Sequence, residues 1–289
     1  MSPGGPPAAP SGRARVAGVM GWPVGHSQSP RLHGFWLRAH GVDGAYVPLA
    51  VKPEDFEVAA RALAKLGFAG VNVTVPHKER ALAIADEVED RARRIGAVNT
   101  LVVRDGRLYG GNTDAFGFIA NLKAAKADFD FRAAPAVVIG AGGAARAVAA
   151  ALVDEGAPEI RLVNRTRERA DALARAFGPR LKVLAWEKRV DALDEAGLLV
   201  NTTTQGMAPN PALDLALERL PSAAVVNDLV YAPLETPLLA AAKARGNPTV
   251  DGLGMLLYQA KPAFAAFFGI EPEVTPELRA FVLEGLASR

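Results

Sequence analysis

The segment Ala136-Val137-Val138-Ile139-Gly140-Ala141-Gly142-Gly143-Ala144-Ala145-Arg146 constrains the architecture of this 289-residue chain more than any other. A short β-branched run passes through glycines into a long alanine-rich stretch, which is a strand turning sharply into a helix. Gly140 permits the tight turn, Gly142 lets backbone amides approach a pyrophosphate, and the small Ala145 allows the helix to pack close on the strand. Further strand-type runs fall at 160–163, 182–185, 198–201, 224–227 and 249–251. With 136–139 they make six strands separated by helices, the pattern of a doubly wound dinucleotide-binding domain.

The preceding part of the chain, from 16 to about 112, also alternates β-type and helical runs. Strands are expected at 16–20, 46–50, 71–75 and 99–103, and helices at 30–40 and 53–66, each with Pro near its first turn. Asp105-Gly106 between two apolar runs reads as a hairpin, which adds an antiparallel appendage. A helix over 116–127 leads into the dinucleotide domain, and helices over 255–268 and 276–286 are expected to pack back on the first domain. The expected fold class is therefore α/β in two domains. An N-terminal α/β domain covers 16–117 and is completed by 254–289, and a Rossmann-type domain covers 118–253. Residues 1–15, rich in Pro, Gly and Ala, read as a disordered tail.

A net charge of +2, without a basic stripe interleaved with aromatics, points away from nucleic-acid or membrane partners. No apolar run is long and uninterrupted enough to span a bilayer. The absence of cysteine excludes a disulfide framework, a thiol nucleophile and a thiolate metal site, and fits a reducing cytoplasm. Four histidines, His26, His33, His40 and His77, all lie in the first half, and lone loop or helix-face histidines are usually structural. No metal site is expected.

At the end of the second dinucleotide-domain strand, an NAD site would place Asp or Glu on the ribose hydroxyls. Here Asn164, Arg165, Thr166, Arg167, Glu168 and Arg169 follow instead. Arg165 and Arg169 can form charge-assisted hydrogen bonds to a 2′-phosphate, each worth roughly 1.5–3 kcal/mol. The preferred cofactor is expected to be NADP. The alternative reading of these arginines is a solvated helix start, where cations oppose the helix dipole.

On the first domain, Val71-Asn72-Val73-Thr74-Val75-Pro76-His77-Lys78 places an amine where a strand ends and a helix starts. Period-two alternation sends Val71, Val73 and Val75 into a core and puts Asn72 and Thr74 on the other face. Pro76 stops the strand, and the positive end of the following helix disfavours an ammonium at Lys78, which is one recipe for a proton acceptor. Other polar clusters follow predicted strands, where open α/β sheets bind ligands: Gly25 to Pro30, Gly96 to Thr100 and Gly111 to Asp114. Each also has a plain structural reading. Ser27 or Ser29 could cap a helix, Asn99 could close a turn, and Asp114 could be an N-cap.

Taken together, the Ser-x-Ser-Pro loop, the Asn-x-Thr-x-Pro-x-Lys strand end, Ala97-Val98-Asn99-Thr100, Asn112-Thr113-Asp114, the glycine loop, Asn164-Arg165-Thr166 and Asp251-Gly252-Leu253-Gly254-Met255-Leu256 with the later Gln259 occur in one order. The chain resembles the shikimate dehydrogenases from about residue 16 to its C-terminal helices. The resemblance implies reversible NADP-dependent reduction of 3-dehydroshikimate to shikimate, a step of aromatic amino-acid biosynthesis, with Lys78 as catalytic acid/base and Asp114 as its partner. Ser27, Ser29, Thr74, Asn99, Asp114, Tyr231 and Gln259 would line the substrate site. Gly140, Ala141, Gly142, Gly143, Ala144, residues 164–169, Leu229 and Gly252 would hold NADP, with Asp90 a further candidate. It implies a cytoplasmic enzyme acting on a small molecule as a monomer or homodimer. A quinate/shikimate dehydrogenase using NAD, or a non-catalytic dinucleotide-responsive module on the same fold, are the alternatives. Two positions depart from the commoner pattern of the family: Gly34 follows His33 where Asn is frequent, and Asn201-Thr202-Thr203-Thr204 replaces Asn-Ala-Thr-Ser.

Overall fold

The computed structural model describes residues 9–287 and divides the chain into two units, one running up to Thr113 and resuming at Gln259, the other Asp114–Tyr258. In the first unit, β1 (Arg15–Gly21), β2 (Gly44–Ala50) and β3 (Phe68–Val73) pair in parallel, with β1 in the middle. Antiparallel to β3 runs β5 (Thr100–Arg104), which turns through Asp105-Gly106 into β6 (Arg107–Gly111) as the sequence predicts. The short β4 (Glu87–Val88) adds to β6 and completes the order β2-β1-β3-β5-β6-β4.

Helices α1 (Ser29–Ala39), α2 (Phe56–Lys65), α3 (Lys78–Ile84) and α4 (Asp90–Ile95) connect these strands. One core gathers Met20, Phe56, Leu63, Val71, Val73, Ile84 and Leu101, so α2 and α3 cover the sheet with their apolar faces. The C-terminal α10 (Pro276–Ala287) packs on α1: Arg31 donates from Nε to the Phe281 carbonyl at 2.6 Å and lies 3.8 Å above its ring. Trp36, fully buried, donates to the Glu273 carbonyl and stands edge-on to Phe264 of α9 (Gly252–Phe268). The second half of α9 and all of α10 therefore belong with the first unit.

The second unit is an all-parallel six-stranded sheet in the order β12-β11-β10-β7-β8-β9: β7 (Ala136–Ile139), β8 (Ile160–Val163), β9 (Leu181–Leu184), β10 (Leu198–Asn201), β11 (Val225–Asp228) and β12 (Thr249–Val250). Every residue of β7, β10 and β11 is buried, as strands covered on both faces require. Among its helices are α5 (Asp114–Ala125), α6 (Gly143–Glu155), α7 (Arg167–Phe177) and α8 (Pro237–Ala244). Five alanines of α6 are buried, and their small side chains let it lie close to the sheet.

Two expectations are corrected. Val75 is 70% exposed rather than in the core, because β3 ends at Val73 and the alternation stops with the ladder. Residues 1–8 of the expected tail lie outside the described residues, but the segment expected to be disordered extends too far. Arg15 already pairs in β1, and Ser11 donates from its backbone N and its hydroxyl to the Asp43 carboxylate.

No helix among the described residues is long and apolar enough to cross a membrane.

Candidate active site

On the first unit, polar side chains of β2, of the carboxyl end of β3 and of the start of β5 join one buried network. Tyr46 on β2 reaches past β1, donates its hydroxyl to Asn72 Oδ1 at 2.7 Å and has the Ser29 hydroxyl as a second partner. Ala17 lies between Tyr46 and Gly70 in the sheet register, so small residues leave the path open. Asn72 donates to Thr100 Oγ1 at 3.1 Å and to the Asn99 carbonyl at 3.3 Å. Asn99, itself buried, accepts at Oδ1 from Thr113 N at 2.9 Å and from Thr100 Oγ1 at 3.0 Å, and its amide group donates to Thr113 Oγ1. Gln259 closes the chain, its Oε1 lying 3.5 Å from Asn99 Nδ2 and 3.3 Å from Thr113 Oγ1. Burial raises the Tyr46 phenol pKa well above its usual value, so it stays a neutral donor.

This network assigns Asn72 a supporting role behind the strand end, and it brings Ser29, Asn99 and Gln259 together. Ser27 accepts from Ser29 N at 3.2 Å, while the N-cap position of α1 is Gln28, without a side-chain cap bond. Thr74 is held by its backbone N–H on the Met20 carbonyl. Lys78 is the first residue of α3, and its carbonyl accepts from Val98 N at 3.0 Å, which ties the lysine to the segment carrying Asn99. His77, the neighbour of Lys78, is buried, stacks on Phe56 with ring centroids 4.5 Å apart, and holds the Val51 carbonyl through Nε2 at 2.8 Å. It is structural. Asp90 is exposed at the start of α4. Tyr46 did not stand out in the sequence, and only the strand register links it to this network; Thr113 lay within the Asn112-Thr113-Asp114 motif without a role of its own, and the structure bonds it directly to Asn99.

His33 is fully buried and stacks on Tyr46 at 3.9 Å with planes 4° apart. Among the described residues neither ring nitrogen has a hydrogen-bond partner, and burial lowers its pKa from 6.5 to about 3.

The second unit carries the dinucleotide loop. Gly140 adopts φ +114°, and a Cβ there would strike the Thr202 hydroxyl, so glycine is required. Gly142 and Gly143 leave open space where a Cβ would stand, at the N-terminus of the 13-residue α6, whose first turn has no acidic residue. Exposed amides and an unfilled cradle at a helix start suit a pyrophosphate. Beyond β8, Asn164 Nδ2 donates to the Thr166 carbonyl at 2.7 Å and shapes the turn, while Arg165 to Arg169 are exposed. Arg165 lies 5.6 Å above the Trp186 ring, and Arg167 pairs with Asp171. These residues fit NADP. Gly252 packs so close to the Leu229 and Val230 carbonyls that no side chain fits. Asp114 opens α5 as its first helical residue and is buried, and Tyr231 is half-buried after β11. The departure at Thr202-Thr203 is self-contained: Thr202 donates to the Ile139 carbonyl and Thr203 to Asn201 Oδ1. Among the described residues no group of three or more His, Asp or Glu is placed to hold a metal ion.

Residues 19–101 match the shikimate dehydrogenase substrate binding domain, and residues 123–214 match the shikimate / quinate 5-dehydrogenase family. The chain is 61% identical over 274 residues to the shikimate dehydrogenase (NADP(+)) of Paramagnetospirillum magneticum, covering 94% of this chain and 99% of that protein. It belongs to the shikimate/quinate dehydrogenase family. Among solved family members, shikimate 5-dehydrogenase from Thermus thermophilus, in complex with NADP(H) and shikimate, is 40% identical with a TM-score of 0.83, covering 95% of this chain and 99% of that one. Quinate dehydrogenase from Corynebacterium glutamicum, in complex with NAD, is 32% identical with a TM-score of 0.88, covering 94% and 99%.

Proposed function

We propose that the chain is an NADP-dependent shikimate dehydrogenase, reducing 3-dehydroshikimate to shikimate and catalysing the reverse oxidation, with Lys78 as acid/base and Asp114 as its carboxylate partner. The main-chain bond from Val98 N to the Lys78 carbonyl supports this reading, since it holds the backbone of Lys78 against the segment that carries Asn99 and its buried amide network, a network suited to hydroxyl and carboxylate groups. NADPH, when bound, supplies the hydride. The oxygen of the reduced ketone gains negative charge, and the Lys78 ammonium gives it a proton from Nζ. In the oxidative direction the amine takes that proton back. Ser27, Ser29, Thr74, Asn99, Tyr231 and Gln259 orient the substrate, and a site built on such groups rejects analogues that leave one of them unpaired. We read the chain as a cytoplasmic monomer or homodimer.

Residues 140–144, 164–169, Leu229 and Gly252 hold the cofactor, with Asp90 a further candidate. The arginines favour NADP over the NAD found with the quinate relative. Reversing both charges, Arg165→Glu with Arg169→Glu, is expected to raise KM for NADP⁺ by about 10²- to 10⁴-fold, from two charge-assisted bonds lost, and to leave KM for NAD⁺ nearly unchanged. An equal effect on both cofactors would remove the 2′-phosphate from the assignment. The direct test of function is shikimate-dependent NADPH formation by the purified chain at mildly alkaline pH; its absence would refute the reading.

A further inference from the structure

The second unit buries an acid to which the chemistry above gives no task. Asp228 is the last residue of β11, at the carboxyl end of the sheet, and is fully buried. Its Oδ1 accepts from Asn201 Nδ2 at 2.9 Å and from Val230 N at 3.0 Å, and its Oδ2 accepts from Thr236 Oγ1 at 2.7 Å. The Thr236 oxygen in turn accepts from Leu239 N, so its single proton is committed to Asp228. All three donors are neutral, and among the described residues no Lys or Arg pairs with the acid. Donors on both oxygens suit the ionised carboxylate, because a carboxylic acid would turn its own proton toward one of them. Burial acts in the opposite sense and raises the pKa.

The sheet order indicates which end of a dinucleotide lies near this charge. Strand direction of travel reverses between β7 and β10, and dinucleotides bind across that switch point at the carboxyl ends of the strands. The arginines read as the 2′-phosphate site follow β8, so the adenosine half lies over β8 and β9, and the nicotinamide half over β10 and β11. The nicotinamide ring carries a positive charge in NADP⁺ and none in NADPH. A fixed negative charge in a poorly solvated site attracts the first form and not the second.

We propose that Asp228 selects the redox state of the cofactor, favouring NADP⁺ over NADPH through a negative charge buried beneath the nicotinamide half of the site. This rests on the NADP reading given above. The acid also fastens three segments: the end of β10 through the Asn201 side chain, the turn after β11 through Val230 N, and the start of α8 through its N-cap Thr236. Its test must therefore separate charge from scaffold.

The measurement is calorimetric titration of NADP⁺, NADPH and 2′,5′-ADP into the wild type and Asp228→Asn. The amide keeps the size of the side chain and can still accept from Asn201 and Val230. The ratio Kd(NADP⁺)/Kd(NADPH) is expected to rise about tenfold in the variant, as for loss of one charge pair at intermediate dielectric, while 2′,5′-ADP binds as before. A ratio unchanged to within about twofold, with 2′,5′-ADP binding intact, would overturn the proposal. The wild type gives a second check that does not depend on the variant folding. It should bind NADP⁺ more tightly than NADPH, and the reverse order would overturn the proposal as well. If none of the three ligands binds the wild type, the NADP reading falls and this inference with it.

Discussion

Lys78→Ala is expected to lower kcat for shikimate oxidation by about 10²- to 10⁴-fold, the usual contribution of a positioned general acid/base, while the affinity for NADP⁺ stays unchanged. The substitution is well suited to separating chemistry from folding. Lys78 sits at the first residue of α3, where alanine is a good helix former, and the bond from Val98 N goes to its main-chain carbonyl, which alanine keeps. Steady-state rates and a cofactor titration on the same preparation decide the matter. Undiminished turnover would remove Lys78 from the mechanism, and parallel loss of turnover and NADP⁺ binding would make its role structural.

The largest expected effect on stability comes from His33. In the unfolded chain this imidazole takes up a proton near its ordinary pKa of 6.5, whereas in the buried site it does so only at about 3. Between those values the unfolded state binds more protons, so stability rises with pH. The contribution of His33 is fully present above pH 6.5 and is lost as the pH falls toward 3, by about 4 to 5 kcal/mol at the acid end. Several carboxylates with lowered pKa values, among them Asp86 and Glu159, act in the same sense at low pH, so the wild type alone cannot isolate the term. His33→Phe keeps the ring against Tyr46 and removes both unpartnered nitrogens. Urea denaturation at pH 7, 5 and 4 should show a wild type that weakens more steeply than the variant as pH falls. Parallel curves would mean that His33 is not held neutral.

The second unit was legible because its signals are local. The run Ala136 to Ile139 is short, apolar and followed by glycines, and α6 is rich in alanine, so the strand, the turn and the close helix could be read in turn. The hairpin at Asp105-Gly106 was legible for the same reason. Elements held by distant partners were not. The two-residue β4 has no pattern of its own and exists because it pairs with β6, next to Asp86, whose carboxylate accepts from Leu108 N. Val75 misled because alternation in sequence says nothing about where the neighbouring strand ends. In the candidate site, motif order singled out Asn99 and Gln259, but the Tyr46-Asn72-Thr100 chain behind them depends on the β2-β1-β3 order, which no local pattern encodes. The burial of Asp228 is likewise a consequence of the sheet, where Asn201 and Thr236 converge from separate segments.

The most direct measurement of the central claim is kcat/KM for the purified chain with the four pairings of shikimate or quinate with NADP⁺ or NAD⁺. Shikimate with NADP⁺ is expected to give the highest value of the four. Turnover of quinate with NAD⁺ at an equal or greater kcat/KM would contradict the assigned specificity, and no shikimate-dependent reduction of either cofactor would contradict the assigned function.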